Sequence, residues 1–194
     1  DSLIWALAQK ILDMGLNPYV FSEESTDPRR QEILEAREWG KKRGGSGEKE
    51  MANALVAHRV QLYSQFIRPN IEMGHPIIAN RGEPATLAYQ TISGDLTMNQ
   101  VWKMHREGRV PIPDLVILTT LSPEEAMNRE ARDKCTSTIR QERESGRGLS
   151  GKVAYDGVET EAEKLKRREL IHTQYDLAGK FLKRKGIPVI IIDT

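Results

Sequence analysis

Three groups of cations in this sequence have the types and spacing to do chemistry on an anionic ligand. Arg81 closely follows the apolar run PIIA at 76–79. It would therefore stand at the carboxyl end of a buried strand, where a guanidinium can hold a phosphate through two parallel N–H···O bonds. A rim arginine paired with Glu23 or Glu83 would look the same in sequence. Arg59 lies four residues after Leu55 and three before Leu62, on the apolar stripe of a long amphipathic tract. A guanidinium buried there needs a partner, and a structural ion pair with a neighbouring carboxylate is the alternative to a ligand contact. Residues 132–152 interleave Arg132, Lys134, Arg140, Arg143, Arg147 and Lys152 with three glycines. That composition suits a segment able to close over anions, and equally a plain solvated loop.

Other chemistries find less support. His58, His75, His105 and His172 share no metal-ligand spacing with one another or with Cys135, which argues against a zinc site. The stretch GGSGEKE follows a polar helix rather than a strand and carries Glu48 where a phosphate-binding lysine would stand, so it is no phosphate cradle. With 29 basic against 28 acidic residues and a net charge of +1, there is no general nucleic-acid or membrane surface to propose. A lone cysteine excludes an internal disulfide framework and suits a reducing compartment, with the cytoplasm as the default. No apolar run approaches the roughly 18 residues of a membrane span.

The elements that must position these cations follow from periodicity and punctuation. Helices are expected at 2–14, 28–40, through the tract from 51 to 74 with Met51, Leu55, Leu62 and Phe66 on its buried stripe, at 84–93, at 97–108, from Ser122 onward, and at about 159–185. Ser122 is the expected N-cap, Pro123 opens the first turn and Glu125 completes a capping box. Strands are expected at 18–22, 76–79, 113–120 and 188–193, with polar breaks at 41–50 and 133–158. Strands alternating with helices, several of them continuous apolar runs, predict an α/β fold in one domain over 1–194: a parallel sheet with helices on both faces. Ligands of such sheets bind beyond the carboxyl ends of the strands. That places residues 22–26, 80–82, 119–121 and 193 on one rim.

The segment HRVQLYSQFIRPNIEMGHPIIANRGEPATLAYQ at 58–90 resembles the thymidylate kinase family, which shows there an arginine in a helix, an Ile-x-Pro, a strand, Asp-Arg-Tyr and Ser/Thr-x-Ala-Tyr-Gln. The similarity extends upstream through DSLIWALAQKILDMGLNPYVFSEEST and downstream through PDLVILTTLSPEEAMNRE and YDGVETEAEKLKRRELIHTQYDLAGKFL. It implies a three-layer, P-loop NTPase-like architecture with a mobile lid at about 133–158, and transfer of a phosphoryl group from ATP, with Mg2+, to dTMP or another nucleoside monophosphate. By the same resemblance Arg81 would bind the acceptor phosphate and Arg59 the base edge. Thr86 would also read the base, Tyr89 would pack on the sugar, and Gln90 would complete the motif. Leu55 takes the place of the aromatic that stacks on the base, Glu24 matches a glutamate of the loop after the second strand of the family, and Arg140, Arg143 and Arg147 would close on the transferring group. Asp1 stands where the magnesium-holding hydroxyl would be, and Asn80 replaces the aspartate of Asp-Arg-Tyr. Glu23, Gly157 and Val158 depart from the family pattern, so a nucleotide-binding protein without catalysis and a kinase for another small acceptor are the alternatives. The chain starts just after the position of the phosphate-loop lysine, and the first strand and that loop are expected to precede Asp1. The resemblance further implies a homodimer joined through helices flanking the acceptor site.

Overall fold

The computed structural model describes residues 2–22, 30–136 and 160–193. Helix α1 covers Ser2–Asp13, strand β1 Tyr19–Ser22, α2 Arg30–Lys42 and α3 Glu48–Leu62. A π-helical turn at Tyr63–Ile67 leads directly into α4, Arg68–Glu72. Then come β2 at Ile77–Asn80, α5 at Glu83–Tyr89, α6 at Met98–Glu107, β3 at Val116–Thr120 and α7 at Pro123–Thr136. Helix α8, Glu161–Arg184, and β4, Val189–Asp193, follow.

Local chemistry accounts for most of the boundaries. Thr97 caps α6 and Thr160 caps α8, each in a reciprocal box: Thr97 Oγ1 accepts from the Gln100 N–H while Gln100 Oε1 accepts from the Thr97 N–H, and Glu163 does the same for Thr160. Two orphan donors are satisfied at each start. At α7 the Ser122 hydroxyl accepts from the Glu125 N–H at 3.1 Å, as its spacing predicts, while the Glu125 carboxylate accepts from Arg129 at 3.3 Å. That helix runs to Thr136, four residues into the stretch expected to be irregular.

Two expectations for the 41–74 region are corrected. The polar break is shorter than predicted, because Gly47 at φ 79 turns the chain so that Glu48 and Glu50 open α3, where carboxylates complement the helix N-terminus. The tract that follows is not one regular helix. Pro69 has no N–H to donate and in a regular helix would press on the carbonyl of Gln65; the wider π turn absorbs this, with the Arg68 N–H reaching back to the Tyr63 carbonyl. The added residue turns the buried face aside. Met51, Ala52, Val56 and Arg59 are buried, Leu55 and Leu62 are half-buried, and Phe66, expected on the same stripe, is 48% exposed.

Both strand pairs are parallel. In β1–β2 Tyr19 faces Ile77 and Ser22 faces Asn80; in β3–β4 Val116 faces Val189 and Thr120 faces Asp193. Among the described residues these form two two-stranded sheets rather than one continuous sheet. The expectation that apolar strands are covered on both faces holds only in part: Val116 and Leu118 are buried, but Ile190 and Ile191 of β4 are each 48% exposed. The main core lies where α3, α5, α6 and α8 meet β3, around Leu87, Val101, Phe181 and Leu182. No helix among the described residues is long and apolar enough to cross a membrane.

Candidate functional site

Asn80, Arg81 and Gly82 form the junction between β2 and α5. The register puts Asn80 beside Ser22 at the carboxyl ends of a parallel pair, the rim that the sequence predicts. Arg81 has φ 69 and Gly82 φ 132. A non-glycine residue in the left-handed region is uncommon and often marks a functional loop. The Gly82 carbonyl then accepts from the N–H groups of Ala85 and Thr86, so the two-residue reversal converts strand directly into helix and leaves Arg81 exposed at the tip. Glu83, one of the two carboxylates a rim pairing of Arg81 would use, is instead buried and committed to Arg106.

Beneath this loop, α3, α5 and α6 enclose a polar cluster. Arg59, only 6% exposed, places Nη1 at 2.6 Å from Nε2 of His105. Arg106 Nη2 donates to both Glu83 oxygens, at 2.9 and 3.0 Å, and its guanidinium stacks 4.4 Å over Trp102. Burial pushes the Glu83 carboxyl above the usual carboxylate range, and the positive charges of Arg106 and Arg59 pull it back. Among the described residues two guanidinium groups, those of Arg106 and Arg59, act on the Glu83 carboxylate.

The other predicted residues separate. Thr86 is buried on α5. Tyr89 is half-buried, with its ring edge-on to Tyr175 at 5.7 Å and 87°. Gln90 is buried and turned toward α3, where its amide approaches Glu48 Oε2 at 3.5 Å and Met51 Sδ at 3.8 Å. Glu48 also receives Arg37 at 2.7 Å, so Glu48 ties α2, α3 and the end of α5 together. Leu55 is half-buried one turn before Arg59. Asp1, Glu23, Glu24, Arg140, Arg143, Arg147, Gly157 and Val158 lie outside the described residues, as does most of the predicted lid.

Sequence reasoning missed Glu83, His105 and Arg106 as members of one cluster. The signal that singled out Arg59, a polar residue at an apolar position, also applies to His105, four residues after the buried Val101 on α6. No group of three or more His, Cys, Asp or Glu side chains among the described residues could hold a metal ion. Of the two residues considered for magnesium only Asn80 is described, and one neutral amide does not make a site for a small, hard cation. An open hollow of about 460 Å³ lines α2 between Glu32, Glu35, Glu38, Trp39 and Lys42. Its acidic rim is unsuited to phosphate.

The family model for thymidylate kinase matches residues 1–169. Two curated thymidylate kinases of Prochlorococcus marinus, from strains MIT 9303 and MIT 9313, are 32% and 31% identical to the chain over 93 residues. The match takes in 46% of this chain and 43% of each relative, so the chain spans less than half the length of the curated relatives it matches.

Proposed function

This chain belongs to the thymidylate kinase family, and from that premise we propose that it phosphorylates a deoxynucleoside monophosphate, dTMP in the first instance, with ATP as donor. The observation that carries the reading is Arg81, presented in a left-handed conformation from the carboxyl end of β2, directly ahead of the helix that bears Thr86 and Tyr89. In this reading Arg81 grips the acceptor phosphate. Arg59 meets the base from below, Thr86 supports it, and Tyr89 flanks the sugar. Phosphoryl transfer is accelerated by positioning and by neutralising the charge on the transferring group, so arginines suit it without covalent participation by the protein. Arg140, Arg143 and Arg147 are the candidates to neutralise that charge. Magnesium would arrive on the nucleotide phosphates, as it commonly does in such enzymes. The protein is read as one P-loop NTPase-type domain and as a homodimer by family resemblance, and as cytoplasmic from its lone cysteine.

A specific observation favours a second reading. Asn80 stands where a carboxylate would help hold hydrated magnesium, and Gln90 of the acceptor motif is engaged with Glu48. A nucleotide-binding protein without turnover fits both. The test is ADP formation by the full-length protein with ATP and a panel of monophosphates. Turnover with dTMP, largely abolished in Arg81→Ala, supports the kinase; stabilisation by nucleotides without ADP formation selects the second reading.

A further inference from the structure

Both ring nitrogens of His105 are engaged. Nδ1 lies 2.8 Å from the carbonyl oxygen of Val101, one turn back on α6, and Nε2 lies 2.6 Å from Arg59 Nη1. A carbonyl only accepts and a guanidinium only donates. The two contacts therefore fix the tautomer: the proton sits on Nδ1, and Nε2 turns its lone pair to Arg59. The ring is fully buried. The charged groups around it include Arg59 from α3 and Glu83 from α5, whose Oε1 is 3.9 Å from Nδ1, with Arg106 of α6 behind Glu83.

We infer that His105 is a positioning residue for ligand recognition, its Nε2 lone pair holding the buried guanidinium of Arg59 in the orientation that meets the base of a nucleoside monophosphate. This rests on the reading of Arg59 as the base contact. A neutral acceptor suits that task better than a carboxylate does. It takes one N–H and fixes the plane of the guanidinium without itself neutralising the positive charge. Glu83, 3.9 Å from the ring, accepts on both of its oxygens from Arg106.

Calorimetric binding of dTMP is compared with that of 2-deoxyribose 5-phosphate, which offers sugar and phosphate but no base. His105→Phe keeps the ring and removes the acceptor. It should lower dTMP affinity about tenfold or more, the usual weight of a hydrogen bond to a charged group, and leave 2-deoxyribose 5-phosphate unchanged. His105→Gln, whose amide oxygen can accept, should recover most of the loss. Arg59→Met should lose at least as much, and adding His105→Phe to it should cost nothing further. Where His105→Phe does not fold, His105→Asn, too short to reach Nη1, serves in its place. Equal losses for both ligands, a Gln variant no better than Phe, or additive losses in the double variant would overturn the positioning role. If Arg59→Met loses affinity for dTMP and His105→Phe does not, only this inference fails. If Arg59→Met binds dTMP as the wild type does, the assignment of Arg59 to the base fails and takes the inference with it.

Discussion

Arg106→Met strips a buried carboxylate of its counter-ion while keeping much of the arginine's apolar stem. The Glu83 side chain is 4% exposed and that of Arg106 24%. Removing one partner of a buried ion pair costs about 3–5 kcal/mol, and the partial exposure of Arg106 places this pair near the lower end. Loss of the stacking on Trp102 adds about 0.5–1 kcal/mol. The expected deficit at neutral pH is therefore about 3–4 kcal/mol, a large share of the about 5–15 kcal/mol that holds a domain folded. The deficit should also depend on pH. Burial already raises the Glu83 carboxyl, with Arg106 and Arg59 opposing it, and removing Arg106 lets it rise further. A carboxyl raised above its unfolded value binds its proton more tightly in the folded state, so stability falls as pH climbs through the folded value and returns as pH drops. Urea unfolding of wild type and variant from about pH 8 to about pH 5 reads this directly. The gap should narrow on acidification, and Glu83→Gln introduced into Arg106→Met should recover much of it at neutral pH. A gap under about 1 kcal/mol at neutral pH, the range of an exposed pair, would refute the reasoning, and so would a gap that does not change with pH.

Two further outcomes are expected. Gly47→Ala would drive a methyl group into the Arg37 carbonyl at a residue held at φ 79; strain and collision together should cost about 3 kcal/mol or more, and denaturant unfolding should show a lowered midpoint. Leu55→Phe places an aromatic ring one turn before Arg59, where it should tighten dTMP binding severalfold, about 0.5–1.5 kcal/mol of stacking, with no effect on 2-deoxyribose 5-phosphate in calorimetry.

The parts of this molecule legible in its sequence are those decided within a few residues. Ser122 and Pro123 set the start of α7, the alternation of strands and helices gave parallel pairing, and Arg81 at the end of PIIA gave the rim position. Arg59 stood out because it interrupts an apolar stripe, and the structure does bury it. What escaped depends on contacts distant in sequence or on the geometry of a single turn. The π turn before Pro69 turned the buried face of the tract aside beyond the end of α3, so Phe66 was misplaced by a rule that assumes a regular period. Glu48 looked like part of a polar break because its partners, Arg37 and Gln90, lie 11 and 42 residues away. His105 appeared only as a failed zinc ligand, since its value as a neutral acceptor rests on Val101 and Arg59 meeting it from opposite sides. The left-handed turn at Arg81 was hinted at by Gly82 alone.

The central claim is that Arg81 receives the phosphate of an incoming monophosphate. Its most direct test is the affinity of dTMP and of thymidine, which lacks the phosphate, for wild type and Arg81→Ala. A charge-assisted contact of this kind contributes about 1.5–3 kcal/mol, so dTMP binding should weaken by roughly 10- to 150-fold while thymidine binding stays the same. Unchanged dTMP affinity, or an equal loss for thymidine, would contradict the account.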